Sequence, residues 1–331
     1  MLIATGARPA EPALPGLADV PYLTSTTALA LDRLPASLLV LGAGYVALEL
    51  GQAFQRLGTG VTLVQRRPRL LPDLDERLAS DLQRALEREG MRLLLGVTVR
   101  RVERAPSGVR LRTLRAGREE TLEAEALLVA TGRMPNTESL DLAAAGIATD
   151  ERGALLVDPA LQTTNPRVFA AGDVTALPRF VSVAAAAGRL AARNAPLGEH
   201  RPLDLRAVPA VVFTDPQVAT VGRSPEQAQA AGYAVATGFA PASVIARERV
   251  NRQPFGGVLV VADGSSGALL GVQAVTSAAG ELIDAATLAV ASRLTLAELR
   301  DHLAPYLTSA EGLRLAALAV TQEVAHLSCC A

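Results

Sequence analysis

SLLVLGAGYVALELGQAFQRLGTGVTLVQRR, residues 37–67, reads as strand, tight glycine turn, helix, loop and second strand. Leu38–Leu41 are all apolar, as in a strand of a parallel sheet buried on both faces. Val46, Leu50, Phe54 and Leu57 follow at spacings of three or four, which predicts a helix with that face buried. Gly58 and Gly60 end it, and Val61–Val64 forms the next strand. Gly42-Ala43-Gly44-Tyr45-Val46-Ala47 has the form GxGxxA. The first glycine permits the turn, the second lets backbone approach a pyrophosphate, and the small Ala47 lets helix pack on strand. A dinucleotide site is expected, with the pyrophosphate against free N–H groups at the helix start. The competing reading is a glycine turn that binds no nucleotide.

At the end of the second strand, a site for an unphosphorylated ribose would carry an acidic residue. Gln65, Arg66 and Arg67 stand there instead. Two guanidiniums suit a 2′-phosphate, so NADPH is favoured over NADH, against an exposed basic turn as the bland reading. A second helix is expected at about 75–89, with Leu78, Leu82 and Leu86 on one face. Residues 97–123 alternate and turn at APSG and RAGR, which predicts a meander of short antiparallel strands. ALLVATGRMPN, 126–136, returns as a buried strand ending in a Gly/Pro turn.

LIATGARP (2–9) and LVATGRMP (128–135) form a short internal repeat: an apolar strand, Ala-Thr-Gly, and a proline. The second copy closes the unit opened by Gly42. The first copy has only three residues before its Ala-Thr-Gly, so the expectation is a chain that begins inside a domain. NPRVFAAGDV (165–174) runs from a strand into Gly172-Asp173, followed by a small-residue helix at 182–195. That Gly-Asp is either a plain turn or a carboxylate set against ribityl or ribose hydroxyls. From about 203 the pattern changes to antiparallel strands at 205–222, 256–263 and 268–275, then helices at 278–292, 295–303 and 309–326. The fold class expected is therefore α/β, a Rossmann-like doubly wound nucleotide-binding domain followed by an α+β domain.

With 32 basic and 33 acidic residues the net charge is −1, and aromatics make up 3%, so neither a basic field nor stacking platforms for nucleic acid are present. No apolar run reaches the roughly 18 residues that span a bilayer, and the first residues lack the pattern of a signal peptide. Only two thiols occur, Cys329 and Cys330, adjacent in AHLSCCA; a cytoplasmic location fits them. A bond between them would be strained, since neighbouring Cα atoms are about 3.8 Å apart. Taken alone, the pair is either chance or a mobile dithiol for a soft metal ion. In LAPYLTSAEGLRLAA (303–317), Thr308 or Ser309 is expected to cap a helix with Glu311 in its first turn. His200, His302 and His326 share no metal-ligand spacing.

Together GAGYVALELGQAF, VATGRMPN, NPRVFAAGDV, PAVVFTDPQVATVG, PYLTSAEGL and the terminal SCC resemble the flavin-dependent pyridine nucleotide–disulfide oxidoreductases, and within them the mercuric reductases. The resemblance implies reduction of Hg(II) to Hg(0) by NADPH through FAD, in a cytoplasmic homodimer formed by residues 201–331. It implies Gly42, Gly44, Tyr45, Ala47, Glu49, Arg66, Arg67, Gly132, Gly172 and Asp173 as cofactor contacts, with Tyr45 also near the nicotinamide. Tyr45, Tyr306, Glu311, Cys329 and Cys330 are implied as catalytic, and Tyr306 with the two cysteines as the Hg(II) ligands. Domains are expected at 1–35 (remnant of a flavin domain), 36–128 (NADPH), 129–200 (flavin-contacting) and 201–331 (dimerisation). The family's GxGxxG for FAD and its CxxxxC redox pair have no counterpart here, so this polypeptide alone is expected to turn over poorly. The rivals are a dihydrolipoamide dehydrogenase-like enzyme, which Tyr306 in place of histidine opposes, and a nucleotide-binding dimerisation module without redox turnover.

Overall fold

The apolar run after Pro35 forms the strand Ser37–Leu41, with Leu38 to Leu41 each at most 3% exposed. In the computed structural model, which describes residues 1–323, this strand sits inside a four-stranded parallel sheet. Gly60–Gln65 pairs on one side of it and Ala126–Val129 on the other, with Arg92–Leu95 beyond Gly60–Gln65. The first strand is thus central, which places Gly42 at the carboxyl edge where open α/β sheets bind ligands. Helix Glu76–Arg88 covers the sheet with Leu78, Leu82 and Leu86 fully buried, as the spacing predicts. The meander is Val97–Ala105, Gly108–Arg115 and Arg118–Ala124, all antiparallel.

The helix after the glycine turn, Tyr45–Arg56, departs from expectation in its facing. Ala47, Leu48, Gly51, Gln52 and Phe54 are buried, whereas Val46 and Leu50 are only half-buried and Leu57 is 64% exposed. Partners elsewhere in the chain set this face: Gly51 lies in ordinary contact range of Met91 and Val61, and Gln52 bonds Asp215.

The Cα positions cluster into two units. One comprises Met1–Pro12 and Thr131–Leu205. In it the two copies of the internal repeat pair with each other, Ala7–Pro9 antiparallel to Arg133–Pro135. Leu2–Ile3 lies parallel to Phe169–Ala170, and helix Val181–Leu197 packs Ala187 and Ala191 against Phe169. The other unit comprises Ala13–Ala130 and the described part of Arg206–Ala331. Besides the parallel sheet it holds a five-stranded antiparallel sheet in the order Ala210–Val212, Gln217–Gly222, Leu269–Thr276, Gly257–Asp263, Val235–Pro241. Helices Ala279–Ala291, Leu296–Asp301 and Glu311–Leu318 bury Leu282, Ile283, Leu299 and Ala316 against it.

Two corrections belong to the last helix. It runs over Glu311–Leu318 rather than 309–326, and neither Thr308 nor Ser309 caps it. Thr308 Oγ1 donates to Pro305 O at 2.8 Å and Ser309 Oγ donates to Glu248 Oε1 at 2.5 Å, so both hydroxyls are engaged elsewhere.

Candidate functional site

Gly42 has φ of 110°, a backbone that strains any other residue, and its N–H donates to Val64 O at 3.0 Å. The turn is thereby tied to the neighbouring strand. Gly44 is the N-cap of helix Tyr45–Arg56, with φ of −81°, so its conformation does not demand glycine. Among the described residues a Cβ there would meet no atom within 4 Å, so the space beside the helix start is open. No side chain caps this helix and no acidic residue lies in its first turn. The start of this helix therefore borders open space beside Gly44, as a pyrophosphate cradle requires. Ala47 is 0% exposed and closes the helix onto the sheet. The residues present fit a dinucleotide phosphate.

Arg66 and Arg67 are exposed at the end of Gly60–Gln65, and among the described residues neither guanidinium makes an ion pair. The Arg66 N–H donates to Gln65 Oε1 at 2.9 Å, which fixes the backbone and leaves the guanidinium outward. Tyr45 is 36% exposed, and partial burial together with Asp73 pushes its phenol above its ordinary pKa, so it stays protonated at neutral pH. Glu49, expected as a cofactor contact, is engaged elsewhere: its Oε1 accepts the Phe213 N–H at 2.9 Å. In this structure that carboxylate joins the helix to the antiparallel-sheet region.

In the first unit Gly172 has φ of 78° and Gly132 has φ of 145°, so both serve turns. Asp173 follows Gly172 and lies 3.8 Å from Arg133 Nε, an atom that is buried and has no hydrogen-bond partner. Arg133 also donates to Ala7 O at 2.5 Å and accepts Arg179 Nη1 on its carbonyl at 2.8 Å. A half-exposed carboxylate beside a hydrogen-bond donor still in need of an acceptor fits a polyhydroxyl chain such as ribityl.

Tyr306 is 60% exposed on the turn before Glu311–Leu318, while Glu311 is 8% exposed. Burial pushes the Glu311 carboxyl up, opposed by Arg314 and a hydrogen bond from the Leu307 backbone. Its Oε2 is buried without a partner. Cys329, Cys330 and His326 lie outside the described residues. His200 and His302 are exposed, and among the described residues no group of three His, Cys, Asp or Glu side chains could hold a metal ion. No helix of the described residues is long and apolar enough to cross a membrane.

Three polar residues that hold these elements, Gln52, Gln273 and Glu248, escape the sequence reading, and Ser309 is a tie rather than the expected cap. Gln52, 4% exposed, accepts the Asp215 N–H at 2.8 Å and donates to Asp215 O at 2.8 Å and Glu89 Oε2 at 3.1 Å. Gln273, 3% exposed, accepts the Asp75 N–H at 2.7 Å and donates to Asp73 O at 2.9 Å. Glu248 and Ser309 form the third tie. Only Gln52 carried a local signal, a polar residue between Gly51 and Phe54 on a buried face.

Residues 1–188 match the family described as pyridine nucleotide-disulphide oxidoreductase, and residues 208–317 match its dimerisation domain. Mercuric reductase of Staphylococcus aureus is 47% identical over 330 residues, and that of Bacillus cereus 46%. All of this chain is covered in both cases, but only 60% and 52% of those relatives. Among solved structures, the HOCl-induced flavoprotein disulfide reductase RclA from Escherichia coli superposes with a TM-score of 0.86 at 32% identity. That match covers 96% of this chain and 72% of RclA.

Proposed function

The chain belongs to the pyridine nucleotide-disulphide oxidoreductases, and on that premise we propose that it serves NADPH-dependent reduction of Hg(II) to Hg(0), with FAD as carrier and a homodimer as the working form. The observation that carries this reading is the 46–47% identity to mercuric reductases along the whole chain. Proposed domain roles are NADPH binding at 36–128, flavin contact at 129–200 and dimerisation from 201 onward. Gly42, Gly44 and Ala47 hold the pyrophosphate turn, and Arg66 and Arg67 face the 2′-phosphate with charge-assisted hydrogen bonds. Tyr45, a protonated phenol at the helix start, shields the nicotinamide position from water. Asp173 and Arg133 meet the flavin's ribityl hydroxyls. When bound, NADPH and FAD supply hydride transfer and electron carriage.

Hg(II) is the substrate. Cys329 and Cys330 are the only thiols of the sequence, and thiolates are the ligands a soft ion prefers. In this reading they capture the ion by ligand exchange, and Tyr306 adds an oxygen ligand. The balance is Hg(II) plus NADPH giving Hg(0), NADP⁺ and a proton. Mercury titration with thiol counting tests the metal site. The chain is expected to bind about one Hg(II), and Cys329→Ala with Cys330→Ala to abolish tight binding with folding intact. Equal affinity in that double variant would remove the tail from the site.

A further inference from the structure

Glu248 lies on the short helix Ala246–Val250 and is 0% exposed. Among the described residues it makes no ion pair. Three neutral donors meet its two oxygens instead: the Ser277 N–H on Oε2 at 3.0 Å, and on Oε1 the Ser277 hydroxyl at 3.0 Å and the Ser309 hydroxyl at 2.5 Å. Ser277 Oγ in turn accepts Asn251 Nδ2 at 2.8 Å. Burying a carboxylate away from any cation is costly, and apolar replacements of buried ionic groups are often neutral or stabilising. Ile245 and Val258, both 0% exposed, show that this pocket accommodates aliphatic side chains. What a carboxylate adds there is direction, because its acceptors fix where each donor stands.

The donor with consequences is Ser309, which is 4% exposed. Three residues before it stands Tyr306 and two after it Glu311. Its carbonyl accepts the Gly312 N–H at 3.0 Å, so Ser309 opens the last helix through its backbone while its side chain grips Glu248. Gly312 adds an apolar tie to the same segment. A Cβ there would lie 2.8 Å from both Ile245 Cδ1 and Val258 Cγ2, so the helix start is seated directly on residues 245–248. The intervening turn is held in an uncommon conformation, with Leu307 at φ of 63°. Tyr306, at 60% exposure, takes its place from that turn rather than from a packed surrounding.

We propose that Glu248 is a positioning residue for the Tyr306 site. Through Ser309 it fixes the Pro305–Glu311 turn that presents the phenol to the soft metal substrate. Glu248 itself touches neither the metal nor Tyr306. The role of Tyr306 rests on the functional reading above, and the geometry of the tie does not.

Paired serine variants of the full chain separate these. Ser309→Ala and Ser277→Ala each remove one hydroxyl from Glu248, but only Ser309 belongs to the Tyr306 turn. Single serine changes also avoid the folding failure that Glu248→Ala risks. Amide exchange over 305–313 is expected to rise about tenfold in Ser309→Ala, the effect of losing roughly one hydrogen bond, and to stay at the parental rate in Ser277→Ala. Hg(II) affinity, measured by competition with a small thiol, is expected to fall several-fold in Ser309→Ala and in a Tyr306→Phe control, and to hold in Ser277→Ala. Equal exchange in the two serine variants would overturn the proposal. Exchange raised only in Ser309→Ala, with parental Hg(II) affinity in Tyr306→Phe, would uphold the tie and sink the metal role of Tyr306.

Discussion

Glu311 carries a buried oxygen without a partner, and burial pushes its carboxyl above the ordinary range despite Arg314 and the Leu307 backbone. For an acid whose folded pKa is raised, the associated stability is complete below the unfolded pKa and is lost as pH climbs through the folded one. Glu311→Gln removes the ionisation and keeps the shape. Its melting midpoint is therefore expected to exceed the parent's at pH 8, and the two curves to converge as pH falls into the ordinary carboxylate range. A pH series of thermal melts on both proteins reads the difference, and the remaining carboxylates cancel because both share them. A constant offset at every pH would mean that the unpaired oxygen costs nothing on ionisation. The residue thus trades stability for a carboxylate five positions after Tyr306, and ionisable groups perturbed by burial concentrate at functional sites.

Among the elements, helix Glu76–Arg88 starts at a charged N-cap. Asp75 accepts the Arg77 N–H on Oδ1 at 3.0 Å and pairs with the Arg77 guanidinium at 2.9 Å. Burial alone would push the Asp75 carboxyl up, but the bonds from Arg77 and Leu78 outweigh it and hold the carboxyl below its ordinary value. The sign is opposite to that of Glu311: the stabilisation is present above the unfolded pKa and lost as pH drops through the folded one. Asp75→Ala is expected to lower stability by about 1 kcal/mol at pH 7, the usual worth of an N-cap, and by less in acid. Asp75→Asn keeps the cap and is expected to retain most of that stability with a weaker pH dependence. Urea unfolding at two pH values checks both, and a loss in Asp75→Asn equal to that in Asp75→Ala would assign the stability to charge alone.

For the molecule as a whole, the unit comprising 13–130 and 206 onward holds both the dinucleotide turn and the antiparallel sheet. Two buried amides bind those parts like added peptide groups, Gln52 to Asp215 and Gln273 to residues 73 and 75. Glu49 to Phe213 and Arg56 to Asp215 reinforce the first contact at 2.9 and 2.7 Å. Leaving such buried groups unpaired costs about 1–3 kcal/mol each, so the two sheets are expected to unfold together. A ligand at 100 times its Kd stabilises by about 2.7 kcal/mol. NADPH is therefore expected to protect amides of strands 210–276 as well as those of 37–129 in hydrogen exchange. In Gln52→Ala with Gln273→Ala, protection is expected to retreat to 37–129. Parental protection confined to 37–129 would show that the amides do not couple the sheets.

The sequence by itself determined the glycine turn, three of the four parallel strands around it, the meander, the helix at 76–88 and three strands of the second sheet. Each of these is written in nearby residues, through periods of two or 3.6 and through glycines where backbone must turn or a ligand must approach. Tertiary structure alone decided which face of Tyr45–Arg56 is buried, because that depends on Met91, Val61 and Asp215 far along the chain. It also revealed the strand Val235–Pro241, whose interior Gly238 reads locally as a breaker. That glycine is required because the carbonyl of Ala316 and Val320 occupy the space where its Cβ would be. Glu248 and Ser309 are 61 residues apart, and no spacing rule joins them. Local pattern records which surface an element will bury, whereas pairings across the chain are set only when the elements have packed.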